Sequence, residues 1–325
     1  MMSSTSSNIT PLKASIVKVR GTGKSGGFGK AGGSSSKSGI KSAANKVEAK
    51  THSKILLKDG VVRIDNVLSP KVADRMRDHV YALRRKAEDE VKAGTVQPIQ
   101  RFANVLLKKD RCDLTIPLGN DDDIVTDALN EVLRESAVGQ TIATILGDDA
   151  VLYELSCLMS DAGSQRQVVH PDTPFIEGQG PVLYTCFIAL QDVRLDMGPT
   201  AWLPGTHTAQ AHDAFKDNNS ILGESRKDAL VRNQPAVLGT LSKGSCAIFD
   251  SRCLHCGTAN KSGDSRALFY FSFKNAQVGY PGNPASIRLE LGSAKVSMKA
   301  MEEDLELYSK GQGHPLIDRL AATMR

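Results

Sequence analysis

Val182-Leu183-Tyr184-Thr185-Cys186-Phe187-Ile188-Ala189-Leu190 carries no charge, no glycine and no proline, and is rich in β-branched and aromatic side chains. It reads as a β-strand. Outward from it, runs of the same kind recur at residues 151–157, 167–170, 200–203, 245–249 and 267–273, punctuated by Gly, Pro, Asn and Asp. Many short strands without intervening helices predict an all-β sandwich or barrel.

The flanks of this β region read as helical. Ser69-Pro70 offers a capping hydroxyl and a first-turn proline, and Val72, Met76, Val80 and Leu83 then recur at helical spacing. The charges over residues 84–92 belong to an exposed helix face. Residues 123–146 predict a second helix, with Ile124, Ala128, Leu129, Val132 and Leu133 apolar. Helical spacing returns at residues 294–308 and 316–324. Ahead of the first helix, Ile55-Leu56-Leu57-Lys58-Asp59-Gly60-Val61-Val62-Arg63-Ile64 reads as two short strands about an Asp-Gly turn. The fold class expected is mainly β with flanking helices.

The chain has 325 residues, 40% of them hydrophobic, enough for one large domain or two small ones with a substantial core. No stretch approaches the ~18 consecutive apolar residues of a membrane span, and the first residues lack the apolar run of a secretory signal. A cytoplasmic protein is expected. Ten of the 41 basic residues lie within residues 1–54 against a single acid, Glu48, so the net positive charge belongs to this tail and the remainder is slightly acidic. That argues against a nucleic-acid face on the folded part. Residues 1–53, rich in Ser, Gly and Lys, cannot bury enough surface to offset their ordering entropy and are expected to form a disordered basic tail. Within it, Gly21-Thr22-Gly23-Lys24-Ser25-Gly26 matches a dinucleotide-binding pattern, but more Gly and Ser follow instead of a helix whose N-terminus could hold a phosphate. The tail's hydroxyls and scarcity of acids leave organelle targeting open. The six cysteines, irregularly spaced and mostly in apolar runs, read as reduced and buried.

Gln167-Val168-Val169-His170-Pro171-Asp172 carries the most chemistry. Positions two apart on a strand point the same way, so His170 and Asp172 offer an imidazole and a carboxylate to one point. Pro171 between them favours a strand end or rim. Together they supply two-thirds of the facial triad that holds non-haem Fe(II) with open positions. A third ligand has to come from elsewhere among the seven histidines. His52 lies in the tail, His79 on the charged helix, and His212 and His314 in polar stretches, which leaves His207 and His255. His255 follows an apolar strand that a barrel can bring beside His170. Arg266 opens the strand Ala267-Leu268-Phe269-Tyr270-Phe271-Ser272-Phe273 and needs an anionic partner or solvent, which a dicarboxylate would provide.

His170-x-Asp172, His255 and then Arg266 eleven residues on resemble the Fe(II)/2-oxoglutarate dioxygenases of the phytanoyl-CoA hydroxylase (dioxygenase) family. Lys58-Asp59-Gly60-Val61-Val62 is similar to that family's opening strand. Met197-Gly198-Pro199-Thr200-Ala201-Trp202-Leu203-Pro204-Gly205-Thr206-His207 and His255-Cys256-Gly257-Thr258-Ala259-Asn260-Lys261-Ser262 are similar to its two later motifs. The resemblance covers roughly residues 54–285 and leaves residues 286–325 as a C-terminal helical extension. It implies a double-stranded β-helix (jelly-roll, cupin-like) core. It also implies His170, Asp172 and His255 as ligands of Fe(II), 2-oxoglutarate as cosubstrate with Arg266 on its distal carboxylate, and His207 in a structural loop. Related halogenases have a small residue where this chain keeps Asp172, so hydroxylation or another oxidation of a small organic substrate by O2 is expected. Many relatives place Ser two residues after the arginine; here that position is Leu268. Thr185 and Tyr184 are the candidates to replace it, and Gln167 (toward the cosubstrate) and Trp202 (toward the substrate) are expected to face the pocket.

Cys253-Leu254-His255-Cys256 imitates a zinc motif, but no second Cys pair completes four ligands. Two alternatives to the oxygenase stand: a non-catalytic or regulatory metal-binding jelly roll, and a zinc or manganese cupin. The retained ligand set favours the enzyme. The polar segment 209–234 reads as a lid over the barrel mouth.

Overall fold

The computed structural model describes residues 9–14, 35–103 (backbone only for 35–42), 110–117, 123–220, 223–279 and 296–313. Among these, the elements run β1 (Ile9–Pro11), α1 (Ser35–Asp59), β2 (Val61–Ile64), α2 (Pro70–Lys92), β3 (Arg111–Thr115), α3 (Ile124–Leu129), α4 (Val138–Leu146) and β4 (Val151–Ser160). Then follow β5 (Leu183–Ala189), β6 (Thr200–Trp202), α5 (Ala209–Lys216), α6 (Arg226–Asn233), β7 (Ala236–Leu238), β8 (Cys246–Asp250), β9 (His255–Gly257), β10 (Arg266–Lys274) and α7 (Met298–Ser309).

The apolar run at 182–190 forms β5, inside a six-stranded antiparallel sheet of order β2-β8-β5-β10-β4-β3. A smaller sheet runs β1-β7-β6-β9. Tyr184, Cys186 and Ile188 of β5 and Phe269, Phe271 and Phe273 of β10 turn toward the helices, where Leu56, Met76, Leu129 and Ile142 complete the main core. The alternate positions Phe187, Ala189 and Tyr270 point the other way, onto Trp202 of β6 and Leu12 after β1. Two sheets face to face, with a helical layer behind the larger one, make the jelly roll expected. Cover on both faces is also why β5 is buried at every residue instead of alternating.

Ser69 caps α2 as its sequence predicts, its Oγ accepting from Val72 N–H at 3.3 Å, with Pro70 in the first turn and Val72, Met76 and Val80 buried. The beginning of the chain differs from expectation. Residues 55–57, read as a strand, and residues 35–53, read as tail, lie in α1. Ala49, His52, Ser53 and Leu56 recur at three- and four-residue intervals and are buried, α1 packing against α4. Small and polar residues build most of that stripe, so its helical period carries little hydrophobic signal. The Asp59-Gly60 pair is a helix end: Gly60 takes φ +77° and donates to Leu56 O at 2.9 Å. Leu56→Ala is therefore expected to cost about 2–5 kcal/mol, as for other fully buried leucines. Urea unfolding followed by circular dichroism measures this; an unchanged midpoint would mean α1 is not part of the core.

The helix expected over residues 123–146 is interrupted. A π-helical turn, Asn130–Glu135, follows α3, and Ser136 is extended before α4 begins. Ser136 Oγ bonds Val132 O and accepts from Val138 N–H, giving the backbone an alternative to continued helix. At the far end α7 places Met298, Met301 and Leu305 in the main core, packed against the π-helical turn. Of the predicted strand at 167–170, only a bridge at His170 forms. The Gly21–Gly26 pattern and the helix expected at 316–324 lie outside the described residues. No helix among the described residues is long and apolar enough to cross a membrane.

Candidate metal centre and its cavity

Strand β9 brings the two halves of the site together. His170 N–H donates to His255 O and His255 N–H to His170 O, each at 2.9 Å, so the two residues sit opposite each other as a one-step extension of the smaller sheet. Two residues later Asp172 N–H donates to Ser251 O at 2.8 Å, and Pro171 between them makes no demand for an acceptor.

Ring orientation is fixed by backbone. His170 Nδ1 lies 2.8 Å from Val168 O and His255 Nδ1 3.0 Å from Cys253 O. A carbonyl only accepts, so both Nδ1 atoms carry the proton and both Nε2 atoms present lone pairs. Each Nε2 stands 3.7 Å from Asp172 Oδ1, too far for a hydrogen bond, and the three donor atoms fall within 4.8 Å of one another. Burial pushes the His255 pKa down, favouring the neutral ring. Three converging lone-pair donors with no proton between them need a cation, and two imidazoles with one carboxylate are the donor set suited to non-haem iron. The residues fit the metal.

The motif after His255 has a structural reason. Asn260 Oδ1 accepts from Ser262 N–H and Oγ, while its Nδ2 donates to Ser160 O and Asp264 O, which shapes the turn into β10 and sets Arg266 at its start. Arg266 is fully buried. Its Nη1 donates to Gly198 O and its Nη2 to Ser160 Oγ at 3.1 Å, and Nε has no partner among the described residues. Burial, and then the charge of Arg111, lower the Arg266 pKa to about 9.

Arg111, which the sequence reading missed, opens β3 opposite the same Ser160. It donates to Gln167 Oε1 at 3.1 Å and Gln165 O at 3.0 Å. Gln167 Oε1 also accepts from Gly257 N–H at 2.8 Å. A side chain at position 257 would collide with both Arg111 and Gln167, so only glycine allows this approach. Among the described residues neither arginine meets a carboxylate; both rest on neutral acceptors. Two adjacent buried cations of this kind favour an anion.

A cavity of about 110 Å³ opens beside the triad. Gln167 and Thr185 are among its lining residues. Tyr184, one position from Thr185, faces the helical core instead, beside Asp250. Trp202 does not line the cavity either: it lies beneath the wall against Phe249 and Phe187, and its neighbour on that face, Thr200, is exposed to the cavity. Among the described residues of segment 209–234 none lines the cavity; they include α5 and α6, and His212 is tied to Arg252 O at 2.8 Å. His207 is structural, its Nε2 bonded to Leu57 O at the end of α1 at 3.1 Å. All six cysteines are free and buried, and the donor group found among the described residues is His170, Asp172 and His255, with no cysteine in it.

The cavity lining also includes Asp113 of β3, Glu154 of β4 and Tyr270 of β10. None was singled out from sequence; the alternation Arg111-x-Asp113 was the available signal. Tyr270 donates to Asp113 Oδ2 at 2.8 Å, and Ser272 Oγ donates to Glu154. Burial first, then the charges of Glu154 and Asp172, push the Asp113 carboxyl up to about 8. The native protein thus keeps a proton that the unfolded chain loses near pH 4, and its stability falls as pH rises between about 4 and 8. Asp113→Asn, which still accepts from Tyr270, removes this penalty. In metal-free protein the variant's Tm is expected to gain on wild type between about pH 4.5 and pH 8.5, by more than the ~2–4 °C that 1 kcal/mol gives in a domain of this size. A constant difference would contradict the raised pKa.

Comparison with known proteins follows the same line. A family model described as Phytanoyl-CoA dioxygenase matches residues 56–268. Among solved structures, the non-heme alpha ketoglutarate dependent carbocyclase SnoK from nogalamycin biosynthesis is 19% identical, over 72% of this chain and 87% of its own, with a TM-score of 0.49. The corresponding figures for the epimerase SnoN from the same biosynthesis are 17%, 70%, 81% and 0.48. For AviO1 from Streptomyces viridochromogenes they are 17%, 72%, 97% and 0.49. The family match takes in well over half of the chain, with His170, Asp172, His255 and Arg266 all inside it. The chain therefore belongs to the phytanoyl-CoA dioxygenase family, the non-haem iron oxygenases that depend on 2-oxoglutarate.

Proposed function

We propose that His170, Asp172 and His255 hold iron(II), that Arg266 with Arg111 beside it receives the distal carboxylate of 2-oxoglutarate, and that the cavity admits a small organic molecule for hydroxylation or a related oxidation. The observation that carries this reading is the pair of unprotonated Nε2 atoms, each 3.7 Å from Asp172 Oδ1, facing a cavity. Bound iron(II) supplies oxygen activation, driven by decarboxylation of 2-oxoglutarate to succinate and CO2.

The chain's own part is positional. The carbonyls of Val168 and Cys253 hold both imidazoles in the metal-binding tautomer. Gly257 lets Arg111 and Gln167 close against the site. Thr185 and Gln167 offer polar contacts to the cosubstrate, and Phe187 and Leu158 give the cavity apolar wall that excludes water. The carboxylate of Asp172 fills a place where a halogenase needs room, which supports oxygen insertion over halogenation.

The test is a mass-spectrometric screen of small organic compounds for a gain of one oxygen that requires both iron(II) and 2-oxoglutarate, with succinate release measured in parallel. Neither product in any mixture would overturn the proposal.

A further inference from the structure

Asp113, two residues after Arg111 on β3, and Glu154 of β4 line the cavity together with Tyr270, while Arg111 and Arg266 rest on neutral acceptors outside its lining. Among the described residues Asp113 Oδ1 is buried without a hydrogen-bond partner, and no cation is among the groups that act on its carboxyl. Across the cavity Thr200, 3% exposed, likewise leaves Oγ1 without a partner. With no ligand, Asp113 escapes the like charge of Glu154 by keeping a proton, and a ligand cation that reaches Oδ1 can take that proton's place.

An anionic substrate group placed here would meet Asp113, Glu154 and Asp172 together. A neutral hydroxyl could share a hydrogen bond with Oδ1 but could not take the proton's place beside Glu154 and Asp172. We infer that the prime substrate carries a protonated amine, seated between Asp113 and Glu154 with Thr185 and Thr200 lining its path, while the cosubstrate's anionic end lies at the two arginines. This inference rests on the oxygenase reading for the word substrate, but not for the binding site itself. The Tyr270 hydroxyl holds Asp113 Oδ2, so Oδ1 is the oxygen left to meet the ammonium group.

Titration calorimetry tests it on protein loaded with iron(II) and 2-oxoglutarate under nitrogen. The probes are matched sets of small primary ammonium compounds, the alcohols with OH in place of NH3+, and the corresponding carboxylates, headed by butylammonium, butanol and butyrate. Expected is binding of ammonium members at least tenfold tighter than their alcohols, with no binding of carboxylates. That preference is expected to fall by tenfold or more in Glu154→Gln and in Asp113→Asn, with iron content unchanged. Equal binding of ammonium and alcohol, preference for carboxylates, or no ammonium binder in the set overturns the inference, and this wild-type comparison stands even if a variant fails to fold. Selective ammonium binding without succinate release would sink the oxygenase proposal and leave the amine site. Succinate release with no charge preference would do the reverse.

Discussion

Asp172→Ala is expected to empty the site of iron and to lower succinate release by more than about a hundredfold. Replacing a group that only supports a ligand already costs about 10–100-fold in such centres, and Asp172 supplies the single negative charge of the donor set. The fold has no stake in this carboxylate. Its contacts are the two imidazole nitrogens at 3.7 Å, whereas the strand position is fixed by backbone, through Asp172 N–H to Ser251 O. Iron per chain by elemental analysis and an unchanged Tm for the metal-free variant separate loss of metal from loss of structure. Wild-type iron content in the variant would refute the ligand set.

Arg266→Gln makes the second large difference, and a different one. Glutamine can still donate to Gly198 O or Ser160 Oγ, so the buried end of β10 keeps a hydrogen bond while the charge goes. A charged hydrogen bond is worth about 1.5–3 kcal/mol, or roughly 10–150-fold. The expected result is a rise of that size in the KM for 2-oxoglutarate at full iron occupancy, with a smaller change in kcat, the signature of lost uniform binding. An unmoved KM would shift the carboxylate to Arg111 alone.

Chemistry-bearing residues were more legible in the chain than its packing. His170, Asp172, His255 and Arg266 stand in motifs whose spacing follows from backbone demands: a proline between two ligands, and an Asn260–Ser262 turn that fixes the step from β9 to β10. Thr185 could be named because it lies in a conspicuous strand. The same strand misled at Tyr184, since a run buried on both sides gives no alternation to say which neighbour faces the cavity. Trp202 was misread for a related reason: size and apolarity mark a buried ring, not the face it fills. Helix α1 escaped because Ala49, His52 and Ser53 are weak carriers of a hydrophobic period, and their burial depends on α4, almost ninety residues away. Arg111, Asp113 and Glu154 escaped because isolated charges on short strands look like solvent-facing residues until a second sheet covers them.

The two-sided burial of β5 has a consequence for how this protein can diverge. Thr185 and Phe187 look into the reaction chamber, while Tyr184, Cys186 and Ile188 are clasped by the helices. Inheritance of new substrates is thus free to work on every second residue only, and the residues between are held constant by a layer that never meets the substrate. A one-residue insertion in this strand would exchange the two sets at a stroke, placing a hydroxyl under the helices and a tyrosine ring toward His170, Asp172 and His255. Lineages of this enzyme are accordingly expected to vary their loops in length and this strand in identity alone.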